Sequence, residues 1–304
     1  MKTITNFADL HRAFAAMDTK KRVVTVCPSD EHSREVVSRC LSQNLCSFTL
    51  VHTPADRSRV DAVISRYPAT AHAIEATDAD DAARKAVAEV RAGRADVIMK
   101  GLINTDNLLH AVLNKQTGIL EPGRVLTHLT AAELPDYPKL LFFSDAAVIP
   151  EPELYQMRAM IGYDVDLLHR LHLQHPKVAL IHFSEKTNAR FPHTIFYEQL
   201  KREAAEGAFG PDVTVDGPMD AKTACDLHSA EIKHIESPVA GRADLLIFPN
   251  LVAANTFYKS ISFFGHALMA GILFGARVPI VIPSRADSAT SKFYSLALAC
   301  IAHS

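Results

Sequence analysis

The chain has 304 residues, a length that suits one large or two linked α/β domains. Its 32 lysines and arginines nearly balance 34 aspartates and glutamates, and the formal charge of -2 excludes a general attraction to nucleic acid or acidic membranes. The five scattered cysteines contain no CxxC pair, which excludes a disulfide framework and a zinc knuckle and favours the reducing cytoplasm.

The N-terminal segment, residues 1–22, is polar and amphipathic. It lacks the uninterrupted apolar region of a secretion signal, and no later stretch free of charge reaches membrane-spanning length. We therefore expect a protein that is neither secreted nor embedded in a membrane.

Short apolar, β-branched runs alternate with longer helical patterns along the first part of the chain. The predicted strand and helix pairs are 22–27 with 31–43, 47–52 with 56–66, and 95–100 with 105–115. Between the last two pairs, Asp78 is predicted to cap a helix that ends at Gly93. This alternation is typical of βαβ units in a parallel sheet.

Later strands are predicted in the runs KLLFF, KVALI, ADLLIF and PIVIP, each nearly continuous in apolar residues. A helix is predicted from Pro152 toward His175. It would place His169, His172 and His175 near one face, but no carboxylate or cysteine accompanies them, so a solvated stripe is favoured over a metal site. The stretch FYKSISFFGHALMAGILFG is predicted to be a buried helix.

Polar side chains follow many of the apolar runs, at the edge where open parallel sheets bind ligands. The segment Ser284-Arg285-Ala286-Asp287-Ser288 combines a guanidinium, two hydroxyls and a carboxylate at a helix start, a combination that can bind a phosphate. Lys100 places a cation before the small Gly101. Serine, aspartate and asparagine at such turns also serve as plain helix caps, and that alternative stays open.

Common nucleotide and hydrolase motifs are missing. The sequence has no GxGxxG after a strand, no GxxxxGK[ST] and no GxSxG. Nicotinamide dinucleotide binding, P-loop nucleotide binding and α/β-hydrolase chemistry therefore lose their main support.

Four segments carry a resemblance to a known family: ADVIMKGLINTDNLLHAVLNKQTGI, KLLFFSDAAV, PVAGRADLLIFPNLVAANTFYKS and PIVIPSRADSATSKFYSLALA. In this order they resemble the successive motifs of the phosphate butyryltransferases and the related phosphate acetyltransferases. The last segment is closest to the butyryl branch.

The resemblance implies an α/β fold of the isocitrate-dehydrogenase-like type, with two α/β/α domains, mainly parallel sheets and an active site in the interdomain cleft. We expect residues 1–140 together with 284–304 to form the first domain and 141–283 the second. A concentration of helix breakers before the KLLFF run favours the first boundary. Family members are commonly homodimers, and a homodimer is expected here.

The activity that the resemblance implies is exchange of a short acyl group, butyryl or similar, between coenzyme A and inorganic phosphate. Coenzyme A thiolate would attack the carbonyl of an acyl phosphate and expel phosphate, without a metal or a permanently bound cofactor. The expected partners are therefore acyl-CoA, inorganic phosphate and acyl phosphate.

Residue roles also follow from the resemblance. Ser284 and Arg285 match the family's serine and arginine that serve the acyl phosphate. The family places its base where this chain has Thr290 and Ser291, so Asp287, the nearest acid, is predicted as the base, with Asp145 or Glu185 as substitutes. The predicted substrate contacts are Lys100, Asn104, Thr105, Asp145, Asn255 and Lys259.

Two departures from the family are present: Asn250 in place of a common aspartate, and His110 in place of a common arginine. Asn250, together with the absence of an acid at Thr290 and Ser291, leaves open a non-catalytic acyl-CoA sensor. A second alternative is a metal- and nicotinamide-dependent hydroxy-acid dehydrogenase of the same fold, although the aspartates that it would need are spread over separate junctions, at Asp216, Asp220 and Asp244.

Overall fold

The computed structural model describes residues 2–283 and 287–303. This part of the chain divides into two compact units: Thr127–Met269 with residues 2–7, and Ala8–Leu126 with residues 270–283 and 287–303. The boundaries expected from the sequence, after residues 140 and 283, stay a prediction.

Strands and helices alternate along the described chain, as predicted. In order the elements are α1 (Phe7–Ala15), β1 (Lys21–Val26), α2 (Glu31–Ser42), β2 (Cys46–His52), α3 (Arg57–Arg66), β3 (Ala71–Glu75), α4 (Ala79–Arg91), β4 (Val97–Lys100), α5 (Thr105–Leu113), β5 (Thr127–Glu133), β6 (Leu141–Ser144), α6 (Leu154–Arg170), β7 (Lys177–Ile181), α7 (Pro192–Ala205), β8 (Thr214–Met219), α8 (Ala221–Cys225), α9 (Leu227–Ile232), β9 (Leu245–Ile247), α10 (Leu251–Phe263), β10 (Leu268–Phe274), β11 (Ile280–Val281) and α11 (Ala289–Ala302).

In the unit that contains Ala8–Leu126, strands β3, β2, β1, β4 and β11 are parallel neighbours in that order. Strand β10 lies antiparallel beside β11. Strand β4 is buried along its whole length, because helices cover both faces of a parallel sheet. The segments that follow β1, β4 and β11 therefore leave the sheet at the same edge.

In the unit that contains Thr127–Met269, strands β6, β9, β7 and β8 are parallel neighbours, and β5 lies antiparallel to β6. Phe143 on β6 is fully buried and makes edge contacts with Phe257 and Tyr258 of α10. This packing fixes α10 against the sheet.

The capped helix predicted after Asp78 is confirmed, since the Asp78 side chain accepts a hydrogen bond from the backbone of Asp81 at the start of α4. The helix predicted to run toward His175 ends earlier, at Arg170. His172 adopts a left-handed backbone (φ 62°) beyond that end, so His169, His172 and His175 do not share a helix face.

The buried helix predicted across FYKSISFFGHALMAGILFG is wrong. Helix α10 ends at Phe263, and the chain turns through Gly265 and His266 into β10. Within residues 2–283 and 287–303, no helix combines the length and the apolar character needed to cross a bilayer.

Candidate active site

The predicted site residues that the structure describes fall into two groups, one in each unit. Lys100, Asn104, Thr105 and Asp287 belong to the unit of β4 and β11, whereas Asp145, Asn255 and Lys259 belong to the unit of β6 and α10. Ser284 and Arg285, the central catalytic prediction, lie outside the described residues.

Lys100 is the last residue of β4, and only 4% of it is exposed. Its Nζ atom lies 3.4 Å from the carbonyl oxygen of Gly101. A Cβ atom at residue 101 would lie 2.2 Å from the carbonyl oxygen of Cys27. Glycine is therefore required at this position because the segment after β1 passes close by.

Asn104 and Thr105 begin α5 at the same edge of the sheet. Asn104 has the extended backbone of a cap residue, is exposed, and does not cap the helix with its side chain. Thr105 is half-buried in the first turn. The structure thus brings Lys100, Asn104 and Thr105 together at the carboxyl end of β4.

Asp287 lies between β11 and α11 and is half-buried. The Nδ1 atom of His32 donates to the carbonyl oxygen of Asp287 over 2.9 Å, so this nitrogen carries the proton. Ser288 caps α11 by accepting a hydrogen bond from the backbone of Ser291. The start of α11 is therefore held from both its loop side and its helix side.

An ion pair between a buried lysine and a half-buried aspartate, which the sequence did not indicate, joins the starts of α2 and α11. The Nζ atom of Lys292, with 4% of the side chain exposed, lies 2.6 Å from Oδ1 of Asp30 and 3.4 Å from Oγ of Ser33. The same carboxylate caps α2 by accepting from the backbone of Ser33. Burial acts to raise the pKa of Asp30, but hydrogen bonds from Lys292 and Ser33 outweigh it and hold the pKa below its ordinary value.

Asp30 keeps one further feature: its Oδ2 atom is buried and has no hydrogen-bond partner among the described residues. Buried carboxylate oxygens ordinarily have a partner. The pattern Ser-Asp-Glu-His after an apolar strand indicates the cap, but nothing in it indicates a lysine 262 positions away.

Cys27 directly follows β1 at this edge. Burial raises the pKa of its thiol to about 11, and the charge of Asp56 contributes in the same direction. A thiol with that pKa is protonated at neutral pH, so Cys27 is not suited to act as a nucleophile.

Asp145 in the other unit is a buried carboxylate that accepts four hydrogen bonds. Its Oδ2 atom accepts from the hydroxyl of Thr127 at 2.8 Å and the backbone of His128 at 2.9 Å. Its Oδ1 atom accepts from the backbones of Ala147 and Val148, both at 2.8 Å. These four donors give Asp145 a structural role and leave it poorly suited to collect a substrate proton.

Asp164 on α6 is fully buried near Asp145. Burial raises the pKa of Asp164 well above its ordinary value, Ser144 opposes this rise, and the charge of Asp145 adds to it. Burial therefore favours the neutral form of the Asp164 carboxyl.

Asn255 and Lys259 are exposed on α10, one helical turn apart. The Asn255 amide donates to the carbonyl oxygen of Ala146 over 3.0 Å, which ties α10 to the turn that Asp145 holds. The Lys259 Nζ atom lies 4.8 Å from the ring centre of Tyr258. Asn250, one of the two family departures, caps α10 by accepting from the backbone of Ala253 at 2.9 Å.

Glu185, the second substitute base, is already paired. Lys233 lies 2.7 Å from Glu185 and 2.5 Å from Asp220. Burial opposes the effect, but contacts with Lys233 and Thr223 lower the pKa of Asp220 to about 2. Glu185 and Asp220 are therefore both ionised, and both are paired with Lys233.

The three aspartates that the dehydrogenase alternative would need as metal ligands are each paired with a different lysine. Asp220 pairs with Lys233, Asp216 with Lys201 and Asp244 with Lys139. In the described ranges, no group of three histidine, cysteine or acidic side chains is placed to hold a metal ion. The geometry therefore does not favour this alternative.

Comparison with known proteins agrees with this geometry. The sequence profile of the family described as "Phosphate acetyl/butaryl transferase" matches residues 66–300. The chain is 35% identical over 292 residues to a phosphate acetyltransferase of Rhizobium meliloti, covering 95% of this chain and 92% of the relative. It is 32% identical over 299 residues to a phosphate butyryltransferase of Clostridium beijerinckii, covering 97% of both.

Among solved structures, a branched-chain phosphotransacylase from Enterococcus faecalis V583 superimposes with a TM-score of 0.81 and 26% identity. The superposition covers 93% of this chain and 99% of that one. Sequence and fold comparisons thus point to the same group of enzymes.

Proposed function

The chain belongs to the phosphate acetyl/butyryl transferase family, and on that premise we propose that it exchanges a short acyl group between coenzyme A and inorganic phosphate. The observation that carries the proposal is the edge formed by β1, β4 and β11. There Lys100, the start of α5 and the ion-paired start of α11 follow neighbouring parallel strands.

In the proposed reaction, coenzyme A thiolate attacks the carbonyl carbon of an acyl phosphate. A carbon–sulfur bond forms, the carbon–oxygen bond to phosphate breaks, and phosphate leaves with the electron pair. Ser284 donates a hydrogen bond to the acyl phosphate, and Arg285 stabilises the charge that grows on the leaving group. No permanently bound cofactor or metal is part of this proposal, and coenzyme A is a substrate.

The thiol proton must pass to a base, because a protonated thiol is a weak nucleophile. We assign this role to Asp287. Asp145 and Glu185 are less suitable as the base, because Asp145 already accepts four hydrogen bonds and Glu185 is paired with Lys233. Lys100, Asn104 and Thr105 are proposed to contact the phosphate or acyl phosphate, and Asn255 and Lys259 to contact coenzyme A.

We further propose that the enzyme works as a homodimer in the cytoplasm. Phe263 and Phe264 at the end of α10 are 75% and 78% exposed with their rings 5.0 Å apart, an apolar surface suited to a second copy. Free cysteines throughout the chain suit a reducing compartment.

Release of free thiol from acyl-CoA tests the function. Purified protein should release thiol from butyryl-CoA only when phosphate or arsenate is present, and a chelator should leave the rate unchanged. Rates with acetyl-, propionyl-, butyryl- and branched acyl-CoA then identify the preferred chain. Thiol release without either anion would indicate a thioesterase, and binding of acyl-CoA without any turnover would indicate the sensor.

A further inference from the structure

Phe183 is an exposed aromatic ring at the edge of a sheet. It lies two residues beyond the end of β7, and 71% of it is exposed. Strands β6, β9 and β7 run parallel, so Phe183 stands at the carboxyl edge of this unit, where open α/β sheets bind ligands.

The ring is held in place by a cluster of aromatic neighbours. Its centre lies 4.3 Å from that of His182 and 5.1 Å from that of Phe191. His182 is buried and pairs with His193 through Nδ1 and Nε2, 3.1 Å apart. Tyr197, fully buried below, donates to the carbonyl oxygen of Ile181 at the end of β7. Phe183 is thus an ordered surface for stacking rather than a free side chain.

The loop between Phe183 and Phe191 is positively charged. Lys186 and Arg190 are both exposed, and neither forms an ion pair with any residue that the structure describes. Glu185, the acid of this loop, is paired with Lys233. Burial lowers the pKa of His182 and of His193, so both imidazoles are neutral at pH 7 and the excess charge of the loop comes from Lys186 and Arg190.

An exposed ring at the start of a loop that carries two exposed cations fits one chemical class of ligand: a planar base joined to phosphates. Stacking on an aromatic side chain binds any base through its face, and basic side chains bind the phosphates. An apolar partner would gain nothing from the cations, and a simple anion would gain nothing from the ring.

We propose that Phe183 stacks on the adenine of coenzyme A while Lys186 and Arg190 bind the phosphates of its nucleotide end. The identity of the ligand rests on the proposed function, whereas the class of ligand rests on the cluster itself.

The first experiment compares two substrates. Butyryl-CoA carries the nucleotide, and butyryl-pantetheine offers the same thioester without it. Phe183→Ala should raise the KM for butyryl-CoA about tenfold, with kcat and the KM for butyryl-pantetheine little changed. Phe183→Tyr keeps an aromatic ring and should retain the wild-type KM for butyryl-CoA. Tyr155→Ala, which truncates an aromatic ring that is 55% exposed on α6, is the matched control and should change neither. Equal changes with both substrates, or no change with either, would overturn the proposal.

The second experiment needs no turnover and therefore separates this site from the proposed function. The chain contains no tryptophan, so Phe183→Trp introduces the only indole fluorophore. Adenosine 3′,5′-bisphosphate should quench its fluorescence. The dissociation constant read from that quenching should rise about tenfold when Lys186→Ala and Arg190→Ala are added. Coenzyme A should displace the bisphosphate. Displacement by ATP but not by coenzyme A would reject the assignment to coenzyme A, and a lack of quenching would reject the nucleotide site even in an active enzyme.

Discussion

Asp145, which is buried, and Asp30, which is half-buried, are carboxylates at comparable places, each beyond a parallel strand and each in a different unit. Asp145 is surrounded by four uncharged donors from its own turn and from the neighbouring β5. Asp30 has a buried lysine from a distant helix and one oxygen without a partner among the described residues. A carboxylate saturated by uncharged donors indicates a structural role, whereas an ion pair with a distant helix beside the predicted catalytic segment indicates a carboxylate that positions the site.

The largest effect is expected from removing Asp145. Asp145→Ala leaves four donors without an acceptor, and two of them, the Thr127 hydroxyl and the His128 amide, are buried, so the unfolding free energy should fall by about 4 kcal/mol. Asp145→Asn keeps two acceptor lone pairs and should cost about half as much. Urea unfolding measures both losses. If Asp145 is structural, kcat of the folded Asp145→Asn enzyme stays within a few-fold of wild type. A loss below about 1 kcal/mol for the alanine variant would contradict this assignment.

In the unit that contains Ala8–Leu126, Asp287→Asn should lower activity without lowering stability. Because asparagine preserves shape but not basicity, kcat should fall about a hundredfold at neutral pH while the melting temperature and the KM for acyl-CoA stay nearly constant. Asp212→Asn, the same change at an exposed residue paired with His175, is the control and should keep full activity. Near wild-type kcat in Asp287→Asn would remove this residue from the mechanism.

The contrast also marks what the sequence could predict. Alternating apolar runs and caps depend on neighbouring residues, so β1, β4 and the Asp78 cap of α4 were foreseeable. Asp30 and Lys292 are 262 positions apart, and the Thr127 donor of Asp145 lies 18 positions before it. No local pattern encodes such pairs, because they arise only when the strands assemble.

The prediction of one buried helix across α10 and β10 was wrong for a different reason. Apolar content alone does not distinguish a helix from a strand. Gly265 and the positive φ of His266 (49°) break the helix, and Phe263 and Phe264 then stand exposed. The exposed ring of Phe183 was missed likewise, since a phenylalanine beyond an apolar strand resembles an extension of the core.

Lys292→Met tests the positioning role of the ion pair. It leaves the Asp30 carboxylate without its cation, so stability should fall by about 2 kcal/mol, less than for a fully buried pair because Asp30 is 22% exposed. The double variant with Asp30→Asn should recover part of this loss, and the coupling energy is read from a double-mutant cycle. Positioning further predicts that Lys292→Met lowers kcat about tenfold, while Lys292→Arg retains most of it. Additive stabilities together with an unchanged kcat would refute the positioning role.

The smallest effect separates Asp30 from Asp164 by the sign of their pH dependence. The pKa of Asp30 is lowered on folding, so its contribution to stability is present above its ordinary value of about 3.9 and is lost as pH falls through the lowered value. The pKa of Asp164 is raised, so the folded state binds more protons, and stability decreases as pH rises from about 3.9 toward the raised value. Asp164→Asn removes that decrease. The unfolding free energy of the variant should therefore fall less than that of wild type between pH 4 and pH 7, by on the order of 1 kcal/mol. Asp30→Asn should reduce the loss of stability as pH falls from about 4 to about 2, because the Asp30 contribution is lost only below its ordinary value. Urea midpoints of Asp164→Asn at about pH 4 and 7, and of Asp30→Asn at about pH 2 and 4, provide the check. A change of the opposite sign in either variant would show that its carboxylate has been assigned the wrong direction of pKa shift.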